Sequence, residues 1–175
     1  MDIKTWRNIS IIFCLITGTL LHFAYEWSGK NIFVGSFSAV NESIWEHLKL
    51  SFFPMLMIST IGYFLFGKNQ KSYVSANSIG IIGAVSFVPI AFYTYSGIIG
   101  QNFDLVNIGI FAISIILGEN IAYKMMCEEN LQIKNTYLEV IVILFICFII
   151  FTFYPPKINL FKEPLTNTYG IYRIK

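Results

Sequence analysis

Two histidines and a few carboxylates hold most of the chemistry this chain can offer. His22 stands four residues before Glu26, and His47 lies in the stretch SAVNESIWEHLKLSFFP, Ser38 to Pro54. That stretch places Asn41, Glu42, Ser43, Glu46, His47 and Lys49 within nine positions at the opening of a long apolar run. Imidazole and carboxylate together form an N/O ligand set suited to a divalent metal such as zinc, manganese or iron. A catalytic site of that kind needs about three protein ligands and a water. His22, His47 and one of Glu26, Glu42 or Glu46 meet that number, with Glu46 the first choice for the third ligand. A carboxylate left over, Glu42 or Glu46, is then the candidate general base. Without a metal, the same group is a polar pocket for a small ligand, an ion or a lipid headgroup.

Blander readings compete with each of these. An acid at a helix start is stabilised by solvent and by the positive end of the helix dipole, which accounts for Glu42. A buried network of His22, Glu26, Glu46 and Lys49 can simply hold two helices together. The spacing lacks HExxH and HxxxH, and no GxSxG, phosphate-binding glycine loop or Ser-His-Asp pattern occurs.

The elements that must position these groups are apolar and long. Of the 175 residues, 55% are hydrophobic, 17% aromatic and only 13% charged, against about 25% charged in a soluble domain. The charges sit in short clusters between runs long enough to cross about 30 Å of hydrocarbon. The pattern predicts a single all-α integral membrane domain over 1–175. It is a five-helix transmembrane bundle with spans at about 7–27, 39–66, 77–97, 104–126 and 136–154. A non-helical tail, 155–175, follows Pro155-Pro156 and lies on the membrane surface. Trp6 and Trp27 read as interfacial aromatics at the two ends of the first span. Ser38 or Asn41 caps the second span, where Glu42 and Glu46 share one face and Ser43 and His47 the next. Pro54 and Pro89 are expected to kink their helices. Asp104 reads as the cap of the fourth span, and Glu119 near that span's end pairs with Asn120 or Lys124. A charged loop, Lys124 to Asn135, precedes the fifth span, which is apolar except for Glu139. Phe161, Pro164 and Tyr169 of the tail are expected to fold back over the polar cluster.

Several classes are excluded. A net charge of +2 with scattered basic residues gives no nucleic-acid surface. Cys14, Cys127 and Cys147 are odd in number and form no CxxC, so neither a disulfide framework nor a thiolate metal site is expected. The first apolar run is too long for a signal peptide and lacks a small-x-small cleavage site. Orientation follows from Lys and Arg. With the N-terminus cytoplasmic, Lys4, Arg7, Lys68, Lys71, Lys124 and Lys134 lie inside, and Lys30, Lys157, Lys162, Arg173 and Lys175 outside. Both histidines then fall at the outer side of the cell membrane.

The segments LHFAYEWSG, NESIWEHLKLSFFPM and FYPPKINLFKEPLTNTYG resemble those of a family of small multi-pass membrane proteins of Clostridia and other Firmicutes. The resemblance covers nearly the whole chain, with NExxWEH its most specific part. It implies a bacterial membrane location and this fold, and carries no activity. A looser analogy runs to membrane hydrolases of the alkaline ceramidase type, which hold zinc with histidines between helices. Those have seven helices and a late HxxxH pair, absent here. The sequence thus predicts a membrane protein with a polar His/Glu pocket that binds a small ligand, ion or lipid headgroup. The alternatives are a metal-dependent hydrolase of lipid-like substrates and a purely structural subunit. Transport would require a homodimer, since five helices without an internal repeat are few for a transporter.

Overall fold

The computed structural model describes residues 2–128 and 136–171. Within them the chain is all-α, with α1 at Ile3–Trp27, α2 at Ile32–Gly35, α3 at Ile44–Leu65, α4 at Tyr73–Ile99, α5 at Asp104–Cys127 and α6 at Thr136–Phe153. Five of these, all but the one-turn α2, are long and apolar enough to cross a membrane. Of the expected features, loop residues 129–135 with Glu129 and Lys134, and tail residues 172–175 with Arg173 and Lys175, lie outside the described residues.

The short connections make successive long helices antiparallel. The end of α1, the start of α3, the ends of α4 and α6 and the start of α5 therefore gather at one end of the bundle. α3 is the most enclosed helix and touches α1, α4, α5 and α6. Its Phe52 and Met55 are fully buried with Ile115 of α5 and Phe148 of α6. Small residues let the backbones approach. A Cβ on Gly80 would stand 2.5 Å from the Gly118 carbonyl oxygen, and one on Gly118 would stand 2.6 Å from that of Gly80. A Cβ on Gly18 would stand 2.4 Å from the carbonyl oxygen of Leu50, so α1 and α3 touch one turn below His22.

Boundaries differ from expectation where side-chain caps compete. α1 starts at Ile3 rather than near residue 7, because the Asp2 carboxylate accepts from Thr5 N at 3.3 Å and caps the helix. Trp6 is consequently inside the bundle, 5% exposed against Phe66, and only Trp27 remains an exposed terminal aromatic. α3 starts at Ile44, not 39. Ser43 is its cap, accepting from Glu46 N, while Asn41 Oδ1 accepts from Ser43 N and holds residues 41–43 in a turn. Glu42 is therefore off the helix and does not share a face with Glu46. α4 begins at Tyr73 instead of 77, and Asp104 is the first residue of α5 behind the extended Phe103. α3 and α4 run through Pro54 and Pro89 as continuous helices.

The tail after α6 is ordered. A 3₁₀ turn at Asn159–Phe161 buries Phe161, whose ring lies 4.7 Å from that of Trp45 and 5.4 Å from that of Phe151. A bridge between Lys162 and Tyr169 closes the following loop. Ile171 N donates to Thr152 O at 3.1 Å, and Asn41 Nδ2 donates to Gly170 O at 3.0 Å. Phe161 and the half-buried Tyr169 pack on the apolar core at this end of the bundle, the contacts of Phe161 being to Trp45 and Phe151; Pro164 stays exposed.

Candidate functional site

Two polar groups occupy the gathered end, and the local folds that place them differ. His22 comes from the last turns of α1. The Gly18–Leu50 contact brings it beside α3, so its ring lies 5.2 Å from that of His47. His47 sits on the first turn of α3 behind the Ser43 cap. Glu42 reaches both from the turn before that cap. Its Oε2 lies 3.3 Å from His47 Nε2 and its Oε1 3.9 Å from His22 Nε2. One ligand atom from each of the three residues falls within 4.8 Å of the others.

The tautomer of His47 follows from its backbone contact. Nδ1 lies 2.9 Å from the Ser43 carbonyl oxygen. A carbonyl only accepts, so Nδ1 carries the hydrogen. Nε2 then presents its lone pair to a carboxylate unless a proton or a cation lies between them. Metal-bound histidines are oriented in this way, by donating the other ring N–H to a carbonyl. Tetrahedral coordination with bonds near 2.1 Å separates ligand atoms by about 3.4 Å; the Glu42 Oε2–His47 Nε2 distance of 3.3 Å matches this, while the three-atom set spreads to within 4.8 Å, so the side chains would close in on a bound ion. Glu42 is half exposed, so the cluster opens toward the bundle surface. Its carboxyl is held below the usual carboxylate range, chiefly by the hydrogen bond from His47 and further by the charge of both imidazoles, against partial desolvation.

The second group is enclosed. Lys49 is fully buried and donates to Glu46 Oε2 at 2.7 Å, Gly35 O at 3.0 Å, Ser38 O at 3.3 Å and Thr152 Oγ1. Glu46 Oε2 also accepts from Val40 N at 3.2 Å, whereas Oε1 is buried without a hydrogen-bond partner. This network ties the α2 turn, α3 and α6 together.

The expected residues thus separate. His22, Glu42 and His47 come together; Glu46, the expected third ligand, is turned to Lys49 because the two lie three residues apart on one helical face. Glu26 leaves the site and pairs with Lys30 at 3.5 Å, both exposed. Asn41 and Ser43 shape the turn that carries Glu42. Thr152 was not singled out by the sequence, since α6 reads as apolar; its only signal is a hydroxyl three residues before Pro155-Pro156. The carbonyls of Gly35 and Ser38 leave no signal in the residue types. Glu119 pairs with neither Asn120 nor Lys124. Asn120 accepts from Arg7 at 3.1 Å and donates to Ile116 O at 2.7 Å.

No curated protein and no solved structure matches this chain. A family model does: residues 1–171 match the family of unknown function DUF6512. An all-α fold with five candidate membrane spans and a match over almost its full length place this chain in that family.

Proposed function

We propose that the protein binds a divalent transition-metal ion at one membrane–water boundary through His22, Glu42 and His47. The observation that carries this reading is the Ser43 carbonyl on His47 Nδ1, which leaves Nε2 aimed at Glu42 with His22 beside it. The cation distribution supports a cytoplasmic N-terminus and therefore an outer-facing site in a bacterial cell membrane. The docked tail lies at the same end and is read as its surface cover. Three protein ligands leave a position open to solvent, to a small ligand or to a lipid headgroup. Binding ranks above hydrolysis of a lipid-like substrate. Glu26 is turned to Lys30 and Glu46 to Lys49 rather than toward the histidines, and Glu42 is itself a ligand, so no further carboxylate stands beside the ion as a base on a bound water.

Metal content of the detergent-purified protein after loading with zinc, manganese or iron tests this. About one ion per chain is expected. His22→Ala, His47→Ala and Glu42→Gln should each lose it while keeping helical content, and Glu46→Gln should keep it. Absence of bound metal in the native chain, or equal retention in all the variants, overturns the reading.

A further inference from the structure

Toward the opposite end of the bundle, α5 buries an acid, Glu119. Glu119 is 5% exposed. Among the described residues, the ion pairs fall on Glu26, Glu42 and Glu46, and neither an ion pair nor a hydrogen bond is formed by the Glu119 carboxyl. The nearest basic side chain on α1, Arg7, is turned away: it donates to Asn120 and lies 4.8 Å from the centre of the Tyr123 ring. Lys124 is exposed at the end of α5.

The titratable groups within electrostatic reach of Glu119 are weak acids. From α1 comes the fully buried Cys14, and from α4 Tyr73, whose hydroxyl donates to Ser59 O at 3.0 Å. From α3 comes an apolar neighbour, Met55, whose methyl packs at Gly118. Ser10 is an independent observation. It is 1% exposed and its hydroxyl has no hydrogen-bond partner. The Arg7–Asn120 and Gly18–Phe111 contacts set α1 antiparallel to α5 and bring Ser10 level with the turn that carries Glu119. An unpaired ion in such surroundings is expensive, whereas a carboxylic acid and a hydroxyl are tolerated.

We propose that Glu119 is a membrane-embedded proton-binding site, a carboxyl that takes up and releases a proton inside the α1–α3–α4–α5 packing beside the free hydroxyl of Ser10. It lies about 12 Å along the axis from the end of α5, on the side of the bundle away from the histidines. Its ligand is therefore a proton from the other boundary, independent of any metal at His22 and His47.

The test uses the full-length protein in lipid vesicles and N,N′-dicyclohexylcarbodiimide, an apolar reagent that adds to protonated carboxyls. Peptide mass spectrometry should find the adduct on Glu119, several-fold less abundant at alkaline than at mildly acid pH. Glu119→Gln should lose the adduct and the infrared carbonyl band of a buried carboxylic acid, and should keep the thermal midpoint, because amide and acid are close in shape. Glu119→Asp should retain the adduct. An unlabelled Glu119 at every pH, or no carboxylic-acid band in the native protein, overturns the proposal and points to a carboxylate with a charged partner. Both native readouts decide the matter even if the glutamine variant fails to fold.

Discussion

Replacing Lys49 by methionine removes a charge from the most enclosed polar group in the bundle while keeping the length of the side chain. At 2.7 Å and an effective dielectric of about 20, the attraction to Glu46 is about 6 kcal/mol before desolvation. Burying each ion costs several kcal/mol, so the pair as a whole is close to break-even against an apolar pair. Breaking it is different. Lys49→Met leaves the Glu46 carboxylate buried beside Thr152 and two carbonyl oxygens, with only Val40 N still donating to it. The expected loss is about 3–5 kcal/mol. Adding Glu46→Gln removes the stranded charge and should restore at least about 2 kcal/mol, a coupling at the upper end for residues in contact. Unfolding of the single and double variants in mixed micelles measures all four corners of the cycle. A Lys49→Met variant within about 1 kcal/mol of the native protein, or additive losses in the double variant, would refute the reasoning.

Further outcomes follow from the same geometry. Metal retention should fall toward acid pH, because protons compete for Nε2 of His22 and His47; equilibrium dialysis at graded pH reads this, and retention independent of pH would count against imidazole ligands. The ion pair of Glu42 contributes stability that is full above about the ordinary value of 4.5 and is lost as pH falls through its lower folded value; Glu42→Gln should flatten that acid limb, by a small amount since the group is half exposed. Phe161→Ala should cost about 3–5 kcal/mol and expose the tail to protease in intact vesicles, as seen by mass mapping of the trimmed fragment; unchanged stability with rapid trimming would mean that the tail does not dock. Cys127 is the one exposed cysteine and lies at the end of the bundle that holds the start of α1. With the N-terminus cytoplasmic, a membrane-impermeant maleimide should leave it unlabelled in intact cells and label it after lysis.

The five spans were legible because a membrane helix is recorded directly as uninterrupted apolar length. Helix starts were less so. Ser38, Asn41 and Ser43 are all competent caps, and the turn that ends on Ser43 is braced by a contact 129 residues away, the Asn41–Gly170 hydrogen bond. That choice moved Glu42 off the helix and toward the histidines. It also left Glu46, the expected third ligand, facing Lys49. The proximity of His22 and His47 was readable from two consecutive spans that turn at one boundary. Thr152 was not readable. A single hydroxyl in an apolar helix carries no sign of its partner until α6 is placed against α3. Glu119 was visible as an ionisable group in a span, but its lack of a partner among the described residues goes with the pairing of Arg7 and Asn120 across helices.

The Lys49–Thr152 contact joins residues 103 positions apart, and this bears on the order in which the protein is made. When the ribosome delivers α3, the helix with Thr152 has yet to be synthesised. Lys49 must enter the bilayer on the strength of what precedes or neighbours it, namely Glu46 and the carbonyls of Gly35 and Ser38. Those groups all lie on the α2 turn and on α3, so the local partners of the lysine are made before or together with α3 itself. α6 is then admitted against a lysine already paired locally, and the tail contacts at Phe161, Gly170 and Ile171 can close only after those residues have followed it. A nascent chain stalled before α6 should therefore be integrated but open at this end, which gives the membrane's quality-control proteases a defined window in which to act.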